Sequence, residues 1–90
     1  MEVGDVVSVL DDGKHNRKVK GKVVAVVDDS TVVVSHILWG YGEDQLPVNY
    51  LYRKDCTHRG WVGLNECYKN SEGIFIELYS TGYEGSTLDV

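Results

Sequence analysis

Cysteine and histidine have the widest chemical repertoire in this chain, and His36, Cys56, His58 and Cys67 together offer the thiolate and imidazole donors of a tetrahedral zinc site. Their spacing argues against that use. One residue separates Cys56 from His58, eight more precede Cys67, and His36 would have to arrive from a distant hairpin, which matches none of the common paired-ligand patterns. Cys56 and His58 could also act as nucleophile and base with Asp55 as the orienting acid, but no hydrolase-type sequence pattern surrounds them. The glycines form neither a phosphate-binding loop nor a dinucleotide fingerprint. The sequence therefore predicts no enzyme, no catalytic residue, no metal and no cofactor, with Cys56 and Cys67 as reduced thiols.

Three other groups of residues carry binding chemistry. Five of the nine basic residues, Lys14, Arg17, Lys18, Lys20 and Lys22, fall within nine positions, and alternation would bring them to one rim of a barrel as a clamp for phosphates. A solvated loop that neutralises Asp11, Asp12, Asp28 and Asp29 accounts for the same residues without any partner. Trp39, Tyr41, Tyr50, Tyr52 and Trp61 could line a groove, because flat rings stack on prolines or bases while hydroxyl and indole groups supply polar ends. Glu43 and Asp44 beside them favour a basic or proline-rich peptide. A chain with a single Phe, however, must also draw core volume from its other aromatics, and Trp61 and Phe75 are assigned to that core. The acidic residues gather in turns, where Asp is favoured for conformational reasons and where several could form a negative patch.

Length bounds what these residues can do. Ninety residues support one hydrophobic core, with little wall left for a substrate pocket. A formal net charge of −5 opposes whole-surface attraction to nucleic acid or an anionic membrane, so any such contact must be local. No run approaches the roughly 18 to 20 consecutive apolar residues of a membrane span, Met1 is followed at once by Glu2, and no Asn-x-Ser/Thr sequon occurs. The expectation is a soluble cytoplasmic protein.

The elements that must position these groups read as strands. Residues 5–10 are rich in β-branched side chains and end at Asp11-Asp12-Gly13, a turn. Residues 14–22 read as a loop running into a strand, and residues 21–27 and 31–35 flank Asp28-Asp29-Ser30 as a hairpin. Consecutive valines in place of clean alternation imply strands covered on both faces or curved into a barrel. Residues 46–52 resume an extended pattern that Pro47 confines to an edge or turn, with a short 3₁₀ turn near residues 47–50. Residues 53–60 are polar and carry Cys56, His58 and Gly60. Residues 61–64 and 73–79 read as two more strands around the turn at residues 70–73, with one helical turn over 64–69 as the alternative. Residues 74–79 could present an exposed edge to a second copy, giving a monomer or weak homodimer. The pattern predicts an all-β fold, a small barrel of five or six antiparallel strands over residues 1–80, with residues 81–90 as a C-terminal tail.

Val3-Gly4-Asp5-Val6-Val7-Ser8-Val9-Leu10 followed by Lys20-Gly21-Lys22-Val23-Val24-Ala25-Val26 resembles the SH3-like barrels of the KOW type, with a Gly-Asp strand and then a Gly-Lys-Val strand. Trp39 and the later Leu46-Pro47-Val48-Asn49-Tyr50 are similar to the end of true SH3 domains, where a Pro-x-Asn-Tyr turn follows a Trp strand. The segment between the two opening strands is longer than a KOW module's, and the Ala-Leu-Tyr-Asp-Tyr strand of an SH3 peptide groove is missing. Small barrels of this look also occur as accessory proteins of phages and plasmids, which this chain resembles in size and acidity. The resemblance implies a non-catalytic module that docks on and modulates another protein through Trp39, Tyr41, Glu43, Asp44, Pro47, Tyr50 and Tyr52. The alternative is a KOW-like RNA-binding or ribosome-associated module working through Lys14, Arg17, Lys18, Lys20 and Lys22.

Overall fold

The computed structural model describes residues 1–10, 18–37, 47–55, 60–78 and 86–89. Among these lie seven strands and no helix: β1 (Val6–Leu10), β2 (Lys18–Asp28), β3 (Thr31–His36), β4 (Val48–Asp55), β5 (Gly60–Lys69), β6 (Phe75–Glu77) and β7 (Thr87–Asp89). All pairings are antiparallel, in the order β4-β3-β2-β1-β7-β5-β6, and a further β4–β5 pairing closes six of the strands into a barrel. The seventh strand, β6, lies outside the closed ring on β5. This closed six-strand barrel is compatible with an SH3-like barrel.

The consecutive valines explain how the sheet is filled on both faces. In a strand, neighbouring side chains point to opposite sides. Val32 and Val34 accordingly enter the barrel interior with Val7, Val9, Val23, Tyr50, Tyr52 and Leu88, while Val33 faces outward to a second cluster with Leu51 and Cys67. Tyr50-Leu51-Tyr52 repeats the division on β4. Trp61 and Val19 pack from the side against the inner cluster, and Ala25, Leu64 and Phe75 against the outer one. Slips in register make the switch possible: Val23 pairs with Val34 and Ala25 with Val33, so the extra residue Val24 moves Ala25 to the outer face. Leu64 is the corresponding extra residue of β5, between the pairs Leu51–Asn65 and Tyr52–Gly63.

Turn chemistry holds the two hairpins that matter most. The Asp28 carboxylate accepts the Ser30 backbone N–H at 2.8 Å between β2 and β3. Between β5 and β6, the Asn70 side-chain oxygen accepts the N–H groups of Glu72 and Ile74, both at 2.9 Å, and Gly73 takes a φ of 83° that other residues resist. Gly21 serves closeness instead: a Cβ there would stand 2.5 Å from Val34 Cγ1 and 3.2 Å from Val9 Cγ2.

Four sequence expectations are corrected. Strand β4 begins at Val48, so Val48 to Tyr50 are extended where a 3₁₀ turn was expected, because they pair with Ser35, His36 and Val34 on β3. Residues 64–69 continue β5 in place of the helical turn offered as the alternative there. The strand into which residues 14–22 were expected to run begins earlier than residue 21, at Lys18, so Lys18 and Lys20 also lie in β2. Residues 81–90 are not simply a tail: Thr87–Asp89 form β7, which pairs with β1 on one side and β5 on the other and closes the barrel. Three residues carry no strand signature of their own, and buried Leu88 shows what holds them there.

Candidate functional site

Inside the barrel, β3, β4 and the segment entering β7 bring three polar side chains together. His36 is 1% exposed, Tyr52 0% and Ser86 1%. His36 Nδ1 lies 2.9 Å from the Ile37 carbonyl oxygen, Tyr52 Oη lies 2.9 Å from His36 Nε2, and Ser86 Oγ lies 3.1 Å from Tyr52 Oη. A carbonyl only accepts, so Nδ1 carries the imidazole proton and Nε2 is left as an acceptor. Tyr52 then donates to His36 and accepts from Ser86, and the chain of bonds is consistent from end to end. The Tyr50 ring completes the hub, with centroids 5.7 Å from His36 and 5.6 Å from Tyr52.

The electrostatics follow from burial. Loss of water holds the His36 imidazole below its ordinary pKa, against the opposing effect of the bond to Ile37, so the ring is neutral near pH 7. Burial likewise raises the Tyr52 hydroxyl above the tyrosine range despite its bond to Ser86. Among the described residues no acid stands behind the histidine, and both imidazole nitrogens are engaged. Ser, Tyr and His in sequence would suit proton transfer chemically, but here they are sealed from any substrate, and their role is to specify how three strands meet.

The thiol of Cys67 sits at the outer cluster, lining a cleft of about 240 Å³ with Leu51, Arg53 and Phe75. Burial, with Glu77 and Glu66 nearby, pushes it up to about 11, so it is a thiol at neutral pH and a poor nucleophile. His36 and Cys67 point to opposite faces of the sheet and do not form the metal set considered from sequence; among the described residues no three His, Cys, Asp or Glu side chains converge. Cys56 and His58 lie outside the described residues, while Asp55, the acid considered beside them, ends β4 opposite Gly60.

The expected docking residues divide. Trp39, Tyr41, Glu43 and Asp44 lie outside the described residues, and Pro47 is exposed at the start of β4. Tyr50 and Tyr52 are corrected from partner contacts to core: both are fully buried, because a barrel filled largely by valines needs their rings for volume. Of the basic set, Lys14 and Arg17 lie outside the described residues. Lys18, Lys20 and Lys22 alternate on the exposed face of β2, about 6.6 Å apart along the strand, with Lys18 3.9 Å from Asp89.

A further surface is the β5–β6 hairpin, whose residues 74–79 the sequence already offered as an exposed edge strand. Tyr68 is 45% exposed, Ile74 56%, Ile76 39% and Leu78 41%. The register pairs Tyr68 with Ile76, and two-residue spacing puts Ile74 and Leu78 on that same face, opposite Phe75 and Cys67. Glu66 falls on the same face of β5 as Tyr68 and Glu72 is exposed in the adjoining turn, whereas Glu77 lies on the opposite face with Cys67 and Phe75. The alternation Ile74-Phe75-Ile76-Glu77-Leu78 made the strand and its exposed edge legible, but not the apolar row that Tyr68 joins from β5. The chain matches no family model, no curated protein and no solved structure.

Proposed function

We propose that this protein is a non-catalytic binding module that docks on another protein through the β5–β6 hairpin. The observation that supports this reading is the exposed apolar row Tyr68, Ile74, Ile76 and Leu78, set against an interior in which His36, Tyr52 and Ser86 are sealed and bonded to one another. Glu66 on the same face and Glu72 in the adjoining turn, on a chain of net charge −5, suit an apolar patch bordered by Lys or Arg on the partner. Residues 39–47 remain a second candidate contact within the same reading.

The lysine row on β2 favours one alternative, the KOW-like RNA-binding or ribosome-associated module. Three lysines would give a log–log salt slope of only about −2 on a single strand, and Asp89 already neighbours one of them.

The experiment is capture from lysate with and without nuclease, comparing the wild-type protein with Ile74→Lys/Leu78→Lys and with Lys18→Gln/Lys20→Gln/Lys22→Gln. The expected result is a nuclease-resistant protein partner that the first variant loses and the second retains, with both variants melting near the wild type. Retention that nuclease or the lysine variant abolishes, and that the hairpin variant leaves intact, overturns the docking reading in favour of RNA.

A further inference from the structure

Among the described residues, β6 is the one strand with a neighbour on a single side. The other six close on one another, and closure removes their edges. The hydrogen bonds of β6 show which of its backbone groups are left over. Leu78 N–H donates to Glu66 O at 2.7 Å, and Asn70 N–H donates to Ile74 O at 2.9 Å. In an antiparallel ladder bonded residues alternate with unbonded ones, so Ile74, Ile76 and Leu78 face β5 with their main-chain groups. The N–H and C=O of Phe75 and Glu77 therefore point to the free edge. Neither a proline nor a lysine guards that edge, which carries one acidic side chain among four apolar ones from Ile74 to Leu78.

We infer that this edge is completed by a second copy of the chain, through antiparallel β6–β6 pairing centred on Ile76. The two-fold register places Phe75 opposite Glu77 of the second copy and Glu77 opposite its Phe75. Both outward residues of each strand are then bonded partners, which gives four backbone hydrogen bonds. Registers shifted by two residues are poorer. One sets Phe75 against Phe75 and keeps a single bonded pair of these outward residues, and the other sets Glu77 against Glu77, a like-charge contact. In the favoured register Glu77 of the second copy comes beside Phe75 on the face where Lys69 Nζ already stands 6.0 Å from the Phe75 ring centroid, so opposite charges meet across the joint. The same register puts Ile74, Ile76 and Leu78 of both copies on one face, joining the two apolar rows. This inference goes beyond the docking reading and does not depend on it, since the pairing needs only the purified chain.

Sedimentation equilibrium over about a hundredfold range of concentration tests the association by mass action, with amide hydrogen exchange read residue by residue. The expected mass moves from one chain toward two, and exchange at Phe75 and Glu77 slows by about tenfold or more at the top of the range. The amides of Ile76 and Leu78, already bonded to β5, change little. Glu77→Pro removes an edge N–H that β5 does not use and should return the protein to one chain. Should that variant fail to fold, Glu77→Lys, which keeps the backbone and places lysine on the edge, should weaken association in the same direction. A single-chain mass throughout, concentration-independent exchange at Phe75 and Glu77, or a dimer that survives the edge variants would overturn the pairing. None of these outcomes bears on capture of a separate protein partner.

Discussion

The barrel interior and the β5–β6 hairpin each invert the usual partition of residue types, in opposite senses. Inside, a histidine and a serine are buried among valines and share bonds with a tyrosine hydroxyl; outside, a tyrosine, two isoleucines and a leucine stand in solvent. The inner inversion is compensated on the spot, since His36, Tyr52 and Ser86 satisfy one another at 2.9 and 3.1 Å. The outer one has no such compensation among the described residues, and there free energy remains to be gained by covering surface. Polar chemistry thus specifies the fold here, whereas apolar surface is what the molecule offers to others.

The sharpest way to break this comparison is to remove the hub. Tyr52→Ala should destabilise the protein by about 3–5 kcal/mol, the range for deleting a fully buried aromatic side chain and a large share of the stability of a domain of this size. Tyr52→Phe isolates the hydroxyl: it leaves His36 Nε2 and Ser86 without their shared partner and should cost about 1–3 kcal/mol. Urea midpoints measure both. A Phe variant as stable as the wild type would show that the hydrogen-bonded chain contributes nothing to the barrel.

Gly21→Ala tests the packing around the hub with a single methyl. The new Cβ would stand 2.5 Å from Val34 Cγ1, so β2 or β3 must shift, at an expected cost of about 1–3 kcal/mol. Thermal melting reads the effect, and an unchanged midpoint would mean that the barrel interior yields more easily than its fully buried valines suggest.

What sequence could reveal divides along the same line. The run Val32-Val33-Val34 announced a strand covered on both faces, and the two clusters bear that out, whereas Val24, Val26 and Val27 of the β2 run are exposed. Local pattern could not say which strand closes the ring. Thr87–Asp89 is too short and too polar to look like a strand, and it becomes one because β1 and β5 leave a gap that its backbone fills. The tyrosines at positions 50 and 52 fit surface anchors or core filling equally well by type. The register that alternates them with Leu51 decides for the core, and that register depends on β3, residues away in sequence. Ser86 gave no signal at all, because a lone serine acquires meaning only from the tyrosine it meets.

The pH dependence of stability probes the hub more gently. In the unfolded chain His36 titrates near its ordinary value of about 6.5, while burial lowers it in the folded state. As pH falls the folded protein therefore takes up fewer protons than the unfolded chain, and the stabilisation present above pH 6.5 is lost progressively below it until the folded pKa is reached. The slope for one such proton is at most about 1.4 kcal/mol per pH unit. Denaturation series from pH 7.5 downward should show this decline, and His36→Gln should be less stable at pH 7.5 but flatter below 6.5. Equal slopes in the two proteins would place the acid sensitivity on the carboxylates instead.

The smallest expected effect on folding belongs to the hairpin. Ile76 is 39% exposed and contributes little to either core cluster, so Ile76→Thr, which keeps β-branching and strand preference, should change stability by about 0.5 kcal/mol or less. If the outer row is a recognition surface, the same substitution should weaken partner binding by about 1 kcal/mol or more, as expected for trimming an apolar anchor. Measuring both quantities on one variant separates the two regions: change in binding without change in folding assigns the row to recognition. A loss of stability with no loss of binding would move Ile76 into the fold and leave the inner hub as the only place where this barrel departs from the ordinary partition of its residues.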